Sequence, residues 1–113
     1  MSERDRLSTA RTYYDALDTH DYDCLNAILA PDFTQIRPER TFDSREQFVR
    51  FMREERPASD TTHPIEQLYG STDDGELAVR GRVVAASGET ITGFVDIFSF
   101  DSERIARIRT YTD

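Results

Sequence analysis

The fold is decided by the segment Gly93–Asp113, which reads GFVDIFSFDSERIARIRTYTD. Successive residues of a strand point to opposite faces, so alternate side chains of its first half share one face. Those side chains are Phe94, Asp96, Phe98 and Phe100. A turn at Asp101–Glu103 leads to a second strand, in which Ala106, Ile108 and Thr110 alternate with polar or outward residues. The segment predicts a hairpin with one carboxylate in an aromatic row.

That carboxylate, Asp96, carries the main functional question. A buried charge is costly unless it is paired, protonated or used in chemistry. Aromatic surroundings would raise the pKa of Asp96 by desolvation, whereas a contact with Arg37 would lower it. Both states remain open at this level.

Length and composition limit the class of protein. A chain of 113 residues fits a single domain, 1–113, with a modest core and one small cavity. No stretch approaches the roughly 18 apolar residues of a membrane span, and the first ten residues are highly charged, so we expect a cytoplasmic protein without a membrane partner. A single cysteine, Cys24, and no cluster of histidines predict no metal, and no cofactor is implied.

The charge is strongly acidic, with 22 acidic residues against 14 basic ones and a net charge of −8. Such a surface repels phosphate backbones and anionic lipids, which argues against nucleic acid as a partner. All the basic residues are arginine. Abundant Asp and Thr without lysine resemble the proteins of halophilic microbes.

Three helices are predicted before residue 61. The first begins at the cap Ser2 and buries a face that includes Tyr13 and Tyr14; the second begins at Asp21 and ends at Pro31. The third begins at a capping box, Ser44 with Gln47, and ends at Pro57.

Strands make up the rest of the chain. One covers Phe33 to Arg37, with Gln35 and Arg37 on the side of Phe33. Others cover about 63–69 and 77–86 before the hairpin, with turns at 71–75 and 87–88. The pattern predicts an α+β fold in which three helices pack on a strongly curved, mostly antiparallel sheet, with a hollow between the layers.

The order of elements, the stretch YYDALDTHDYDCLNAILAPDF (13–33) and the stretch DIFSFDSERIARIRTYTD (96–113) resemble the SnoaL-like branch of the nuclear transport factor 2-like superfamily. The resemblance implies a cone-shaped α+β barrel, the fold of ketosteroid isomerases and polyketide cyclases. Members that only bind ligands or dimerise share this fold, so function must be argued from the site.

The resemblance carries over only in part. Tyr13 and Asp96 match the oxyanion-hole pair of the isomerases, in which apolar surroundings keep the carboxylic acid neutral. The isomerase base falls at Arg37, which cannot accept a proton. The catalytic aspartate of the cyclases falls at Thr110, whose hydroxyl cannot replace a carboxylate.

We therefore predict Asp96 and Tyr13 as catalytic residues. The predicted ligand-binding residues are Arg37, Gln35, Phe98, Thr110 and His63. The orientation of His63 is ambiguous because Pro64 interrupts the strand pattern. The first hypothesis is an enzyme that binds a small apolar molecule with a carbonyl, hydroxyl or carboxylate and isomerises, cyclises or hydrates it by proton transfer. The alternative is a non-catalytic ligand-binding or dimerisation module.

The outer face of the sheet is too apolar for open water. Its apolar side chains are Val84, Val95, Ile97 and Tyr111. We expect a homodimer formed through this face, as resembling proteins often form.

Overall fold

The structure, a computed structural model, describes residues 2–56, 60–70 and 72–113. Its helices are α1 (Glu3–Thr19), α2 (Tyr22–Ile28) and α3 (Arg45–Arg50). A π-helical turn, Phe51–Glu55, continues directly from α3. The three predicted helices are confirmed.

Side chains cap each helix start where the sequence predicts a cap. Ser2, Asp21 and Ser44 each accept a hydrogen bond from the backbone amide three residues further on. The predicted capping box differs by one residue. Gln47 Oε1 accepts a hydrogen bond from the backbone amide of Asp43 (2.7 Å), the residue before the cap Ser44. The second helix ends before Pro31, which lies within a strand. Pro57, the predicted end of the third helix, lies outside the described residues.

Six strands form one sheet in the order β2-β1-β6-β5-β4-β3. Their bounds are β1 Leu29–Ile36, β2 Thr41–Phe42, β3 Ile65–Tyr69, β4 Leu77–Val84, β5 Thr90–Asp101 and β6 Arg104–Thr112. Among these described strands only the pair β1 and β6 is parallel. Within the described residues β2 and β3 are the edges of the sheet, so it stays open. The sequence pattern does not predict the short β2, and residue 71 of the predicted first turn lies outside the described residues.

In the C-terminal hairpin Asp96 lies on the predicted face, whereas Ala106 does not. Asp96 lies opposite Thr110, and the strands close at Asp101 and Arg104 around Ser102, whose φ is 56°. The register shifts between Ser99 and Phe100, a bulge that adds one residue to β6. Ile105 is therefore buried, while Ala106, predicted to face inward, is only half-buried.

The core lies between the helices and the concave face of the sheet. Phe48 of α3 is fully buried, with ring centroids 5.2 Å from Phe33, 5.6 Å from Phe42 and 6.2 Å from Tyr13. These contacts join α3, β1, β2 and α1. They hold the helix that carries the two tyrosines against the strands that carry the polar residues of the hollow.

Candidate functional site

A cavity of about 320 Å³ lies between α1, the π-helical turn and the concave sheet face. Its apolar wall includes Leu17, Phe51, Met52, Val83, Ile91 and Phe94. Six of the predicted site residues line it: Tyr13, Gln35, Arg37, His63, Asp96 and Thr110. The volume is at the lower end of the roughly 300–1,000 Å³ typical of ligand pockets, which suits a compact molecule.

Asp96 is the buried polar centre of this cavity, with 4% of its surface exposed. Tyr14 Oη donates a hydrogen bond to Asp96 Oδ2 (2.6 Å), and Thr110 Oγ1 donates to Oδ1 (2.6 Å). Each carboxyl oxygen thus has a hydroxyl partner. The partners come from α1 and from β6, so the site depends on both the helix position and the hairpin register.

Burial raises the pKa of Asp96 above its ordinary value of 3.8. The hydrogen bonds from Thr110 and Tyr14 act in the opposite direction, as do the charges of Arg37 and His63. Desolvation outweighs them. Asp96 therefore keeps its proton to a higher pH than an exposed aspartate, which suits a group that donates a proton.

The tyrosine bonded to Asp96 is Tyr14, whereas the sequence pointed to Tyr13. Both side chains are buried, and their rings meet edge to face with centroids 5.0 Å apart. Tyr13 instead packs on Phe48 and Phe98. Burial raises the pKa of its hydroxyl far above 10, and the charge of Asp96 adds to the rise. Helical periodicity places both tyrosines on the inner face and does not distinguish them.

Arg37 contacts Gln35 and two aromatic rings, and its Nη1 lies 3.8 Å from Oε1 of the surface acid Glu39. The direct ion pair with Asp96 that the sequence left open is not the arrangement observed. Arg37 Nε donates to Gln35 Oε1 (2.9 Å), and its guanidinium lies 5.3 Å from the centroid of Phe42 and 5.9 Å from that of Phe51. Gln35 Nε2 donates in turn to Thr110 Oγ1 (3.3 Å). Arg37 therefore reaches Asp96 through two intervening side chains.

His63 faces the cavity and is held by Asp18, a residue that the sequence did not single out. The ring Nδ1 lies 2.6 Å from Asp18 Oδ1, and the His63 amide donates to Oδ2 (3.0 Å). One signal was present in the sequence: Asp18 lies in the last turn of α1, where the helix dipole disfavours an acid and no basic residue offsets it. An acid in that place needs a partner.

Phe98, predicted to contact a ligand, lies behind the cavity wall. It is fully buried, and its ring packs on those of Tyr13, Tyr14 and Phe100. It supports the tyrosines and does not line the hollow. The prediction followed the strand face correctly but not the depth of the residue, which the side chains of α1 cover.

Two kinds of feature are absent from the described part of the chain. None of its helices has both the length and the apolar character needed to span a bilayer. In residues 2–56, 60–70 and 72–113, no three His, Cys, Asp or Glu side chains are grouped so as to hold a metal ion.

A family model described as a SnoaL-like domain matches residues 10–108. The chain belongs to the SnoaL-like family. The matched span includes Asp96 and its partner Tyr14, whereas the other partner, Thr110, lies two residues beyond it. A comparison with curated protein sequences finds no match.

Solved structures share the nuclear transport factor 2-like fold. A candidate ketosteroid isomerase from Kribbella flavida is 21% identical, with 98% of this chain and 79% of that one covered and a TM-score of 0.84. A candidate SnoaL-like polyketide cyclase from Jannaschia sp. is 18% identical, with coverage of 98% and 87% and a TM-score of 0.80. A protein of unknown function from Methylobium petroleophilum is 18% identical, with coverage of 99% and 78% and a TM-score of 0.86. At these identities the likeness establishes the fold alone.

Replacing Tyr14 by Phe is expected to raise the pKa of Asp96 further, because the variant removes a hydrogen bond that favours the carboxylate. Tyr13→Phe is the matched control, since it removes a neighbouring hydroxyl that is not bonded to Asp96 in the structure. Carboxyl titration by ¹³C NMR measures both. Equal pKa values of Asp96 in the two variants would contradict the assigned pairing.

Asp96 should also make stability fall with rising pH. The pKa of Asp96 is raised in the folded state. Its contribution to stability is therefore fully present below its pKa in the unfolded chain and is lost as the pH rises through its pKa in the folded protein. The free energy of unfolding of the wild type, minus that of Asp96→Asn, is therefore expected to decrease as the pH increases. Urea unfolding followed by circular dichroism measures it.

Asp113 provides a control of opposite sign. The Gly93 amide donates to its carboxylate (2.8 Å), and this bond, with one from Thr92, lowers the pKa of Asp113. Its contribution is lost as the pH falls. The free energy of unfolding of the wild type, minus that of Asp113→Asn, should rise with pH. If this difference showed the same trend for both variants, the pH dependence could not be assigned to Asp96.

Proposed function

We propose that the cavity binds a compact, mostly apolar molecule that bears a carbonyl, hydroxyl or carboxylate group, and that the protein catalyses proton transfer on it. Isomerisation, cyclisation and hydration belong to this class. The observation that carries the proposal is a buried carboxyl with a raised pKa in the same cavity as a carboxylate-held histidine. A buried carboxyl and a histidine that face one cavity suit the roles of acid and base.

His63 is the base in this proposal. A carboxylate can only accept hydrogen bonds, so the Asp18 contact assigns the ring proton of a neutral His63 to Nδ1. Nε2 is then the basic nitrogen. The second bond, from the His63 amide to Asp18, fixes the backbone as well as the ring. In this proposal His63 and Asp18 together supply the general base. The resemblance implied a base at position 37, where Arg37 cannot accept a proton.

Asp96 and the adjacent tyrosines form the acid side. Burial keeps Asp96 protonated to a raised pH, and Tyr13 and Tyr14 line the cavity beside it. Hydroxyl and carboxyl donors in a water-poor cavity stabilise negative charge that develops on a ligand oxygen. Arg37, at the same cavity, would orient an anionic group of the ligand.

The proposed step acts on a ketone with a carbon–carbon double bond next to its α-carbon. His63 Nε2 takes a proton from the carbon next to the carbonyl, and that C–H electron pair forms the carbon–carbon double bond of an enol. The carbonyl π pair moves to oxygen, which receives a proton from the acid side. His63 becomes an imidazolium and Asp96 a carboxylate. Reprotonation by His63 at the far carbon of the resulting dienol shifts the carbon–carbon double bond, and return of the enol proton to Asp96 regenerates the carbonyl and completes an isomerisation.

The alternative, a non-catalytic binding or dimerisation module, also has an observation in its favour. Neither position at which the resemblance implied a base or an acid carries a carboxylate, since these positions are Arg37 and Thr110. Binding without proton exchange is the outcome that this alternative expects.

Proton exchange can be tested before the natural ligand is known. A panel of cyclic ketones, including 2-cyclohexenone and 1-tetralone, is incubated with the protein in D₂O, and loss of the α-proton signal is followed by NMR. Wild type is expected to bind at least one ketone and accelerate its exchange. His63→Gln should slow the catalysed exchange by about 10²-fold or more, because a general base is lost.

His20→Gln is the matched control, since His20 is exposed in the turn after α1 and should leave the exchange rate unchanged. Asp18→Asn should slow exchange by releasing the His63 ring. Binding in saturation-transfer NMR without exchange would favour the non-catalytic module. Failure of every ketone to bind would count against the proposed ligand class.

A homodimer through the outer sheet face is a second part of the proposal. Tyr111 is 53% exposed on this face, and Val95 lies opposite it on the neighbouring strand. An apolar patch of this kind is stabilised by a partner. A second copy would present the same patch around a two-fold axis.

Ile97→Arg is expected to shift the protein from dimer to monomer, because it places a charge in the proposed contact. Size-exclusion chromatography with light scattering gives the mass. Ile91→Arg is the control, since Ile91 is exposed but lies at the cavity and not in the proposed contact. A monomeric wild type, or an unchanged mass for Ile97→Arg, would exclude this interface.

A further inference from the structure

Four side chains form a hydrogen-bond relay, defined here as Arg37, Gln35, Thr110 and Asp96. The contacts are Arg37 Nε to Gln35 Oε1 (2.9 Å), Gln35 Nε2 to Thr110 Oγ1 (3.3 Å) and Thr110 Oγ1 to Asp96 Oδ1 (2.6 Å). Gln35 is buried, with 2% of its surface exposed. The relay therefore runs from a permanent cation at the cavity wall to the buried acid.

The direction of each bond follows from the one before it. Arginine has no acceptor, so Gln35 must turn its carbonyl oxygen to Arg37 and its amide nitrogen to Thr110. The Thr110 hydroxyl then accepts from Gln35 and has its single proton left for Asp96. Oδ1 of Asp96 is consequently fixed as an acceptor.

The proton of neutral Asp96 then belongs on Oδ2, the oxygen that lies 2.6 Å from Tyr14 Oη. In that state Oδ2–H donates to Tyr14, and the Tyr14 hydroxyl must turn its own proton elsewhere. The rings packed around Tyr14 are those of Tyr13, Phe94, Phe98 and His63, and Tyr14 also lines the cavity, where a ligand oxygen can accept this proton.

We propose that Arg37, Gln35 and Thr110 are positioning residues that hold the Asp96 proton on Oδ2, and that Tyr14 is thereby the residue that donates to the ligand oxygen. The inference rests on the proposed proton-transfer function. As Tyr14 Oη–H is given to the ligand oxygen, Oδ2–H passes to Tyr14 Oη. Tyr14 stays neutral, Asp96 becomes a carboxylate, and the ligand gains one proton.

Two observations agree with this division of roles. Burial raises the pKa of Tyr14 well above 10, with Asp96 adding to the rise, so the ionised form of Tyr14 is disfavoured and a proton from Asp96 would restore the neutral hydroxyl. Both oxygens of Asp96 are already bonded to hydroxyls, so a ligand would reach Asp96 only by displacing one of them.

The relay is tested first in the protein without ligand, by ¹³C NMR titration of Asp96. Thr110→Val keeps the shape but removes the hydroxyl, and should increase the proton affinity of Asp96 by about tenfold, because a hydrogen bond to a charged group is lost. Thr110→Ser retains the hydroxyl and should restore the wild-type titration. Equal titrations of the Val and Ser variants would overturn the relay.

A double-mutant cycle separates the effect of Arg37 through the relay from the direct electrostatic effect of its charge on Asp96. Arg37→Met should increase the proton affinity of Asp96 at least about twofold more in the wild-type background than in Thr110→Val, since coupled residues are non-additive. The same effect in both backgrounds would mean that Arg37 acts only through its charge, and would overturn its positioning role.

The donor role of Tyr14 is tested by ketone exchange in D₂O. Tyr14→Phe should slow the catalysed exchange more than Tyr13→Phe, and the reverse order would make Tyr13 the donor. If wild type catalyses no exchange, the proposed function and the donor role fail together, whereas the relay is still decided by the titrations. If exchange occurs but the titrations show no coupling, only the relay fails.

Discussion

Burial of the Asp96 carboxyl is the constraint on which the rest of the site depends. A carboxyl group removed from water must keep its proton or receive hydrogen bonds. Here burial raises its pKa, while hydroxyls of Tyr14 and Thr110 bond both oxygens. Those hydroxyls come from the first helix and the last strand. A shift of either element would leave an unsatisfied buried group, so the same contacts that shape the site also favour one packing of helix on sheet.

The two departures from the expected family pattern have a common structural context. Arg37 and Thr110 stand where the resemblance implied a base and an acid, and both belong to one set of hydrogen bonds that ends on Asp96. Two further carboxylates at these positions would place like charges near Asp96 and raise its pKa. An arginine and a hydroxyl instead offset part of the cost of burial. In the proposed function the site thus concentrates its acid role in one carboxyl and leaves proton acceptance to His63.

Local patterns in the sequence predicted most of the fold. Strand alternation placed Asp96 inward, and side-chain caps marked the three helix starts, because both depend on neighbouring residues. The bulge near Ala106 could not be predicted, since it follows from how two strands fit over the core. The choice of Tyr14 over Tyr13 depends on the exact rotation of α1 on the sheet. The contact of His63 with Asp18 spans 45 positions, and no periodic pattern encodes it.

The π-helical turn after α3 gives the cavity a second, independent determinant. Such turns correspond to one extra residue accommodated in an α-helix, and they rotate every side chain that follows. Phe51 and Met52 lie in this turn and line the hollow, but they take no part in the hydrogen bonds around Asp96. Gain or loss of a single residue here would resize the wall and leave Asp96 and its hydrogen-bond partners in place. The shape of the cavity can therefore diverge by small insertions and deletions while the hydrogen bonds of Asp96 are retained.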